Sequence, residues 1–391
     1  MRFLILLMFL MSCRGLFEAV GPKIVAYLIQ SAALVACAAY VFFKGPLKPF
    51  GAPRVVSAMV FVLTVLLSLM LTSFTYADLL PAYFFSAFIL FVYLGVMIVG
   101  VSEGDFSIRG LELGLLLLAS IMFVVAQLQQ LGVISYSLLP GNSYLYGAAI
   151  RPASLTGSYL HYPLLMAFLA FVALEVYFKH KGYLALAASA ISFIAVGLSF
   201  SRSGYLMIII AGLYCARSFF NLSKLNSLQV ALLFFAIPLF LSSLMFLPEE
   251  ITDRMLKISD TTEYGNSERI DDWLNAFELW MGTHIAVGEY LGYASNTATN
   301  LSYTPISIPE SSVLTMLLNL GLLGFIAMYA NLLMLGLAID ARYVYLRGIF
   351  WGALVQSFVY QSIEVFIFIF FMMLLPIISR ALNQESSAKG R

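Results

Sequence analysis

The sequence predicts an all-α membrane protein, a polytopic bundle of about 12 transmembrane helices. Hydrophobic residues make up 62% of its 391 residues, well above the roughly 45–50% of soluble domains. Charged residues make up only 10%, against about 25% in soluble domains. So few charges cannot cover a surface that faces water, and the composition therefore excludes a soluble globular enzyme.

The apolar residues are grouped into runs close to the length that crosses a bilayer. A helix of about 20 residues spans the hydrocarbon core and satisfies its own backbone hydrogen bonds. The predicted spans lie near residues 2–16, 22–43, 54–73, 79–100, 109–131, 158–178, 183–200, 204–220, 227–247, 310–337, 343–360 and 362–380. The first span is short, contains Arg14, and is also typical of a secretory or lipoprotein signal. We expect residues 1–391 to form a single integral membrane domain.

Lys and Arg collect in alternate connections between these spans. They follow the even-numbered spans, as Lys44 and Lys48 follow the second and Lys179 and Lys181 follow the sixth. Because cytoplasmic loops are enriched in Lys and Arg, both termini are predicted to be cytoplasmic. The net charge of +1 provides no basic surface, so no nucleic-acid partner is expected.

The longest connection, residues 248–309 between spans 9 and 10, is predicted to be an extracytoplasmic loop. Near residues 267–282 its apolar residues recur at spacings of three and four, which predicts an amphipathic helix. They are Ile270, Trp273, Leu274, Phe277, Trp280 and Met281. Ser267 is the predicted N-cap of this helix.

The common catalytic signatures are missing from the sequence. It contains no Walker A loop, no GxGxxG, no HExxH and no GxSxG. The histidines, His161, His180 and His284, are scattered along the chain. We therefore expect neither a metal site nor a cofactor.

Four ionisable residues stand at the predicted outer ends of spans. Arg151 precedes span six, Arg202 lies in a short turn before span eight, Arg269 opens the amphipathic helix, and Glu310 opens span ten. Guanidinium groups match phosphate oxygens in pairs, and a carboxylate can accept a proton from a hydroxyl. The structural alternative is that Arg202 reaches ordinary lipid phosphates, Arg269 pairs with an Asp of its own helix, and Glu310 is only a cap.

Around these residues, over about residues 140–330, the chain resembles the O-antigen polymerase and O-antigen ligase superfamily of bacterial polysaccharide assembly. The similar motifs contain Arg151 and Gly157; Ser201, Arg202, Ser203 and Gly204; Arg269, Trp273 and Ala276; Gly288 and Gly292; and Glu310, Ser311, Leu314, Gly321 and Gly324. Ligases of this superfamily typically have a histidine followed by Asn where span ten begins. Glu310 and Ser311 stand there in this chain, which resembles the polymerase branch.

The resemblance implies a polymerase of O-antigen, capsule or exopolysaccharide chains in the bacterial inner membrane, active on the periplasmic or outer side. Its donor would be an oligosaccharide linked to undecaprenyl pyrophosphate, transferred by metal-independent, inverting chemistry. By the same resemblance, Arg151, Arg202 and Arg269 would bind the pyrophosphate, and a nearby base would take the proton of the acceptor hydroxyl. Glu310 is the catalytic residue that we expect in this role. Membrane lipids, a chain-length regulator and a flippase are the implied partners.

Aromatic residues of the large loop are candidates for sugar contacts, because sugar rings stack on aromatic faces. They are Trp273, Tyr290, Tyr293 and Tyr303. For the tryptophan, anchoring at the membrane interface is the alternative.

Two other functions stay open: a ligase that uses the same donor, and a transporter or flippase for a lipid-linked sugar. A transporter predicts ionisable residues deep in several spans and a repeat that relates two halves of the chain.

Overall fold

The structure, a computed structural model, is almost entirely helical over the residues that it describes. These are residues 2–21, 25, 28–30, 32, 35–36, 52–75, 108–134, 145–146, 149–219, 264–282, 284–289, 293–294 and 309–389. The helices are α1 (Arg2–Ser12), α2 (Arg14–Val20), α3 (Ala52–Thr75), α4 (Ile108–Gln130), α5 (His161–His180), α6 (Tyr183–Gly197), α7 (Arg202–Phe219), α8 (Tyr264–Gly282), α9 (Ser312–Ala338), α10 (Val344–Val359) and α11 (Phe366–Lys389). A short antiparallel hairpin pairs β1 (Leu145–Tyr146) with β2 (Ala149–Ile150), and a 3-10 turn follows at Ser154–Thr156. The all-α class is confirmed.

Four of the described helical stretches are long and apolar enough to cross a membrane. They are α4, α5, α9 and residues Ile367–Gln384 of α11. Shorter apolar stretches occur in α3, α6 and α10. The predicted spans near 79–100 and 227–247, and most of the span near 22–43, lie outside the described residues.

The predicted first span near 2–16 is interrupted. Cys13 has non-helical dihedral angles and separates α1 from α2. Hydropathy did not predict this break because a cysteine is apolar and leaves the run of hydrophobic residues intact. The Arg14 guanidinium after the break pairs with Glu18 one turn later, at 2.6 Å.

Neighbouring helices run antiparallel and pack through small residues. Gly352 of α10 lies against Met207 near the start of α7, whereas Gly348, nearer the start of α10, lies against Cys215 near the end of α7. The beginning of α7 and the end of α10 are therefore at the same end of the bundle. Antiparallel pairing also holds for α3 and α9. The Ser57 hydroxyl of α3 donates to the Ala327 carbonyl of α9 at 2.8 Å, whereas the later Ser68 hydroxyl donates to the earlier Asn319 carbonyl at 3.3 Å.

Helix α5 lies in the middle of the core, where its aromatic residues pack against α11. The rings of Phe168 and Phe371 stack with centroids 5.1 Å apart. Near the other end of α5, the buried Glu175 carboxylate accepts hydrogen bonds from the backbone N–H groups of Tyr345 (2.8 Å) and Leu346 (3.3 Å) at the start of α10. This carboxylate satisfies backbone donors of a helix N-terminus, so its role is structural.

The predicted amphipathic helix is present as α8 and begins one turn earlier than predicted. Because α8 starts at Tyr264, Ser267 lies inside the helix and the prediction that it is the N-cap is wrong. One face of α8, with Ala276 and Trp280, packs against Leu317 and Leu318 of α9. A second face is apolar but exposed; it consists of Ile270, Leu274, Phe277 and Met281. An exposed apolar face beside a membrane-spanning helix is typical of a helix at the bilayer interface.

Candidate functional site

Arg269 of α8 and Glu310, just before α9, form an ion pair between Nε and Oε2. Tyr360, which follows α10, completes this cluster. Its hydroxyl accepts a hydrogen bond of 3.5 Å from Nη1 of Arg269, and the guanidinium carbon lies 5.0 Å from the centre of its ring. Burial alone would lower the pKa of Arg269, but the Glu310 carboxylate and the Tyr360 hydroxyl together raise it. The guanidinium therefore stays charged.

Ser311, and not Glu310, caps α9. The Ser311 hydroxyl accepts from the backbone N–H of Leu314 at 3.4 Å and donates to the carbonyl of Phe358 at 2.6 Å. The first bond is the usual N-cap contact. The alternative in which Glu310 acts only as a helix cap is therefore wrong, and its carboxylate is directed to Arg269 instead.

Tyr360 is held in place by the hydroxyl of Ser312, the first residue of α9. This hydroxyl donates to the carbonyl of Tyr360 at 2.8 Å and accepts from the backbone N–H groups of Ser362 (2.8 Å) and Ile363 (3.0 Å). A single buried side chain thus fixes the connection between α10 and α11 against the start of α9. Sequence analysis did not single out Ser312 or Tyr360.

Arg151 lies on a buried segment that follows strand β2. It is only 8% exposed, and its guanidinium carbon is 3.9 Å from the centre of the Tyr159 ring. Ser154 anchors the segment to α4: its backbone N–H donates to Gln129 at 2.7 Å and its hydroxyl donates to the Met122 carbonyl at 2.7 Å. These two hydrogen bonds attach the segment that contains Arg151 to the bundle.

Two glycines allow α2 to pack closely against the segment that contains Arg151. Gly157 has a left-handed backbone (φ 73°), and a Cβ on Gly15 of α2 would lie 2.5 Å from its Cα. Only glycine fits such a close backbone contact. Gly157 belongs to the motif that includes Arg151, and the contact explains why a glycine stands there.

Arg202 is the first residue of α7 and is 5% exposed. A guanidinium that reached out to lipid headgroups would be exposed, so the alternative in which Arg202 snorkels is wrong. Gly204 brings the first turn of α7 against α5, because a Cβ there would lie 2.8 Å from Cβ of Pro163. The hydroxyls of Ser201 and Ser203, on either side of Arg202, hydrogen-bond to each other at 2.9 Å.

Gln130, the last residue of α4, connects the regions of Arg151 and Arg202. Its Nε2 donates to the carbonyl of Ile150 at 3.2 Å and to the carbonyl of Leu198 at 2.7 Å. Ile150 precedes Arg151, and Leu198 begins the turn that leads to Arg202. Because the start of α7 and the end of α10 share one end of the bundle, Arg151, Arg202, Arg269 and Glu310 all lie at that end.

The aromatic candidates have different environments. Trp273 follows Arg269 by one turn on α8, and its indole Nε1 is buried with no hydrogen-bond partner within the described part of the chain. Tyr293 packs against the small core between α8 and α9. Tyr290 and Tyr303 lie outside the described side chains. Trp280 is structural, since its Nε1 donates to the carbonyl of Ile285 at 3.2 Å.

The helices and the site define a class of protein: an integral membrane protein with arginines and a carboxylate gathered at one end of its bundle. Residues 187–329 match the family model described as O-antigen ligase, which confirms the resemblance to the O-antigen polymerase and ligase superfamily. The match includes Arg202, Arg269 and Glu310 and ends before Tyr360. No curated protein matches the chain.

Proposed function

We propose that the protein is a polysaccharide polymerase that transfers glycan from undecaprenyl pyrophosphate to a hydroxyl of a lipid-linked repeat unit. The observation that carries the proposal is the contact between Arg269 and Glu310 at the end of the bundle where Arg151 and Arg202 are buried. Such a group of residues combines donors for a phosphate anion with an acceptor for a hydroxyl proton. The family match supports a membrane enzyme of this general kind.

The burial of Arg202 at a helix start favours an anionic ligand. The N-terminus of a helix is positive, as is the guanidinium of Arg202, so the two together attract an anion. Arg151 is buried at the same end of the bundle. A pyrophosphate diester is a suitable anion, because several guanidinium groups can bind its oxygens through paired hydrogen bonds.

In the proposed reaction, the hydroxyl oxygen of the acceptor sugar attacks the anomeric carbon of the donor. Its proton passes to the Glu310 carboxylate, and the bond between the anomeric carbon and the pyrophosphate oxygen breaks. Undecaprenyl pyrophosphate leaves with the electron pair of that bond. Arg151, Arg202 and Arg269 would stabilise the negative charge that develops on the leaving group.

Arg269 would change partners during this cycle. In the structure its guanidinium is paired with Glu310 and contacts Tyr360. An arriving pyrophosphate competes with the carboxylate for the same planar donor group. The exchange would release Glu310 to accept the proton, so donor binding and base activation would be linked.

An O-antigen ligase is the second candidate, because the matched family model carries that description. A ligase would use the same donor and the same arginines but would transfer the finished glycan to another hydroxyl acceptor. Glu310 at the start of α9, in the place of the histidine and Asn typical of ligases, favours the polymerase.

The profile of surface glycans from a strain that lacks this gene tests the proposal. The strain is complemented with the wild-type protein or with Glu310→Gln. Single repeat units on an intact anchor, in the deletion strain and in the variant, are the result expected for a polymerase. Full-length polymer that stays on the carrier lipid would instead identify a ligase. Accumulation of cytoplasmic, unflipped intermediates would identify a transporter.

A further inference from the structure

Helix α9 is interrupted at Gly321, whose backbone is left-handed (φ 62°, ψ −167°). At a rise of about 1.5 Å per residue, this break lies roughly 14 Å along α9 from Ser312. A break inside a membrane-spanning helix exposes backbone groups that must find other partners, since no water is available in the hydrocarbon core.

The segment 284–289, which follows α8, supplies those partners. The N–H groups of Leu322 and Leu323 donate to the carbonyls of Ile285 (2.9 Å) and Ala286 (3.1 Å). In the opposite direction, the N–H of Glu289 donates to the carbonyl of Leu318 at 2.9 Å. The carbonyl of Asn319 is satisfied by the Ser68 hydroxyl of α3 at 3.3 Å. The break in α9 is thus filled by backbone from the segment after α8.

Two glycines allow this contact, which we call the glycine junction. Gly288 is left-handed (φ 73°), and a Cβ on it would lie 2.7 Å from the backbone of Gly321. A Cβ on Gly321 would lie 2.4 Å from the backbone of Ala286 and Val287. Both obstacles are backbone atoms, which cannot rotate away as a side chain can, and φ is unfavourable for other residues at both positions.

The glycine junction connects the two elements that carry the ion pair. Arg269 lies on α8 and Glu310 directly precedes α9. We infer that Gly288 and Gly321 are positioning residues that hold Arg269 against Glu310. The inference rests on the proposed function for the catalytic meaning of the ion pair, whereas the geometry it predicts can be measured separately.

Cross-linking measures that geometry without any glycan substrate. Cys13, Cys37 and Cys215 are first replaced by alanine, and cysteines are then introduced as R269C and E310C. Because these changes remove the ion pair, only the remaining contacts of α8 and α9 keep the two positions together. We expect a short bifunctional thiol reagent to cross-link them in this background. G288A and G321A should reduce the cross-link to background. G282A is the matched control, since a Cβ on Gly282 at the end of α8 meets no atom of the described residues within 4 Å.

Activity provides the second measurement. G288A or G321A alone should lower polymer formation about 10–100-fold, because small displacements of reacting groups have effects of this size. If the junction acts through Arg269, adding G321A to Arg269→Lys should cause little further loss, since the two changes are then coupled. If the loss of activity in the double variant equals the product of the losses in the two single variants, the positioning role is contradicted.

If G288A or G321A does not accumulate in the membrane, W280F is tested in its place. This change keeps an aromatic ring but removes the hydrogen bond from Trp280 Nε1 to the carbonyl of Ile285. It should weaken the cross-link without altering either glycine. Full cross-linking in folded G288A, G321A or W280F would contradict the inference. If G288A and G321A lose the cross-link but the wild-type protein proves to lack polymerase activity, the proposed function is contradicted and the positioning inference is not.

Discussion

The guanidinium of Arg269 pairs with the carboxylate of Glu310, across the contact between α8 and the start of α9. The two residues belong to separate segments of the chain, so the pair exists only because α8 packs beside α9. It joins a candidate phosphate ligand to a candidate base. The same guanidinium also contacts Tyr360, which brings the connection between α10 and α11 into the site.

Arg269→Lys should reduce polymer formation about 10-fold or more, while the protein still inserts into the membrane. Lysine keeps the positive charge but loses the planar, paired donors that match phosphate oxygens. The measurement is the chain-length profile of surface glycans in a complemented deletion strain. Arg217→Lys is the control, because Arg217 is exposed near the other end of α7. Normal chain length from Arg269→Lys would exclude Arg269 from the phosphate site.

Tyr360 should contribute through both its hydroxyl and its ring. Tyr360→Phe removes the 3.5 Å hydrogen bond from Arg269 and should lower activity about 2–5-fold. Tyr360→Ala also removes the ring beneath the guanidinium and should lower it about 10-fold. The turnover rate of each variant, purified in lipid nanodiscs, separates the contribution of the hydroxyl from that of the ring. Equal activity in the two variants would show that the ring has no part in holding Arg269.

Ser312→Ala should lower the free energy of unfolding more than the loss of a typical buried serine hydroxyl does. It leaves the buried N–H of Ile363 without its acceptor and removes one of the two acceptors of the Ser362 N–H, which also donates to the Tyr360 carbonyl at 2.9 Å. The loss should cost about 1–3 kcal/mol. Ser192→Ala is the matched control, because within the described part of the chain that buried hydroxyl bonds only to the Ala188 carbonyl of its own helix, at 2.7 Å. The control should cost less than about 1 kcal/mol. Thermal unfolding in nanodiscs compares the two, and similar melting temperatures would contradict the role of Ser312.

Asp340 should stabilise the protein in a pH-dependent way. Its carboxylate accepts from the side chain and the backbone N–H of Arg342 and from Asn383, and these bonds hold its pKa well below the usual range. Because the folded-state pKa is depressed, the contribution is complete above the unfolded pKa of about 3.9 and is lost as pH falls toward the folded value.

The variant Asp340→Asn tests this prediction through its melting temperature. At pH 7 the variant should melt below the wild type, and the difference should shrink as the pH falls below about 4. Arg109→Lys, another exposed change outside this cluster, is the control for general effects of pH. A difference that stays constant from pH 7 to acidic pH would show that Asp340 does not contribute through its charge.

Hydropathy predicted the positions of the long helices because the membrane restricts a spanning segment to one structure, the helix. It could not predict the breaks at Cys13 and Gly321. Both residues are compatible with an apolar run, and the Gly321 break depends on backbone partners in segment 284–289. Such partners are distant in sequence and leave no periodic signal.

The charged residues of the candidate site could be singled out from the sequence because charges are rare in this chain and are excluded from the hydrocarbon core. Arg151, Arg202, Arg269 and Glu310 could therefore be selected by position and by motif. Tyr360 could not, since tyrosine at the end of a span is common at membrane interfaces. Ser312 could not be selected because its importance lies in partners at residues 360–363.

The most direct test of the central claim is single-turnover release of undecaprenyl pyrophosphate by purified protein in nanodiscs, supplied with lipid-linked donor and acceptor. Wild type is compared with Glu310→Gln and with Ser311→Ala, which removes the neighbouring helix cap. We predict that Glu310→Gln abolishes release, whereas Ser311→Ala retains it and loses about 1 kcal/mol of stability. Release at the wild-type rate from Glu310→Gln would contradict the assignment of Glu310 as the base.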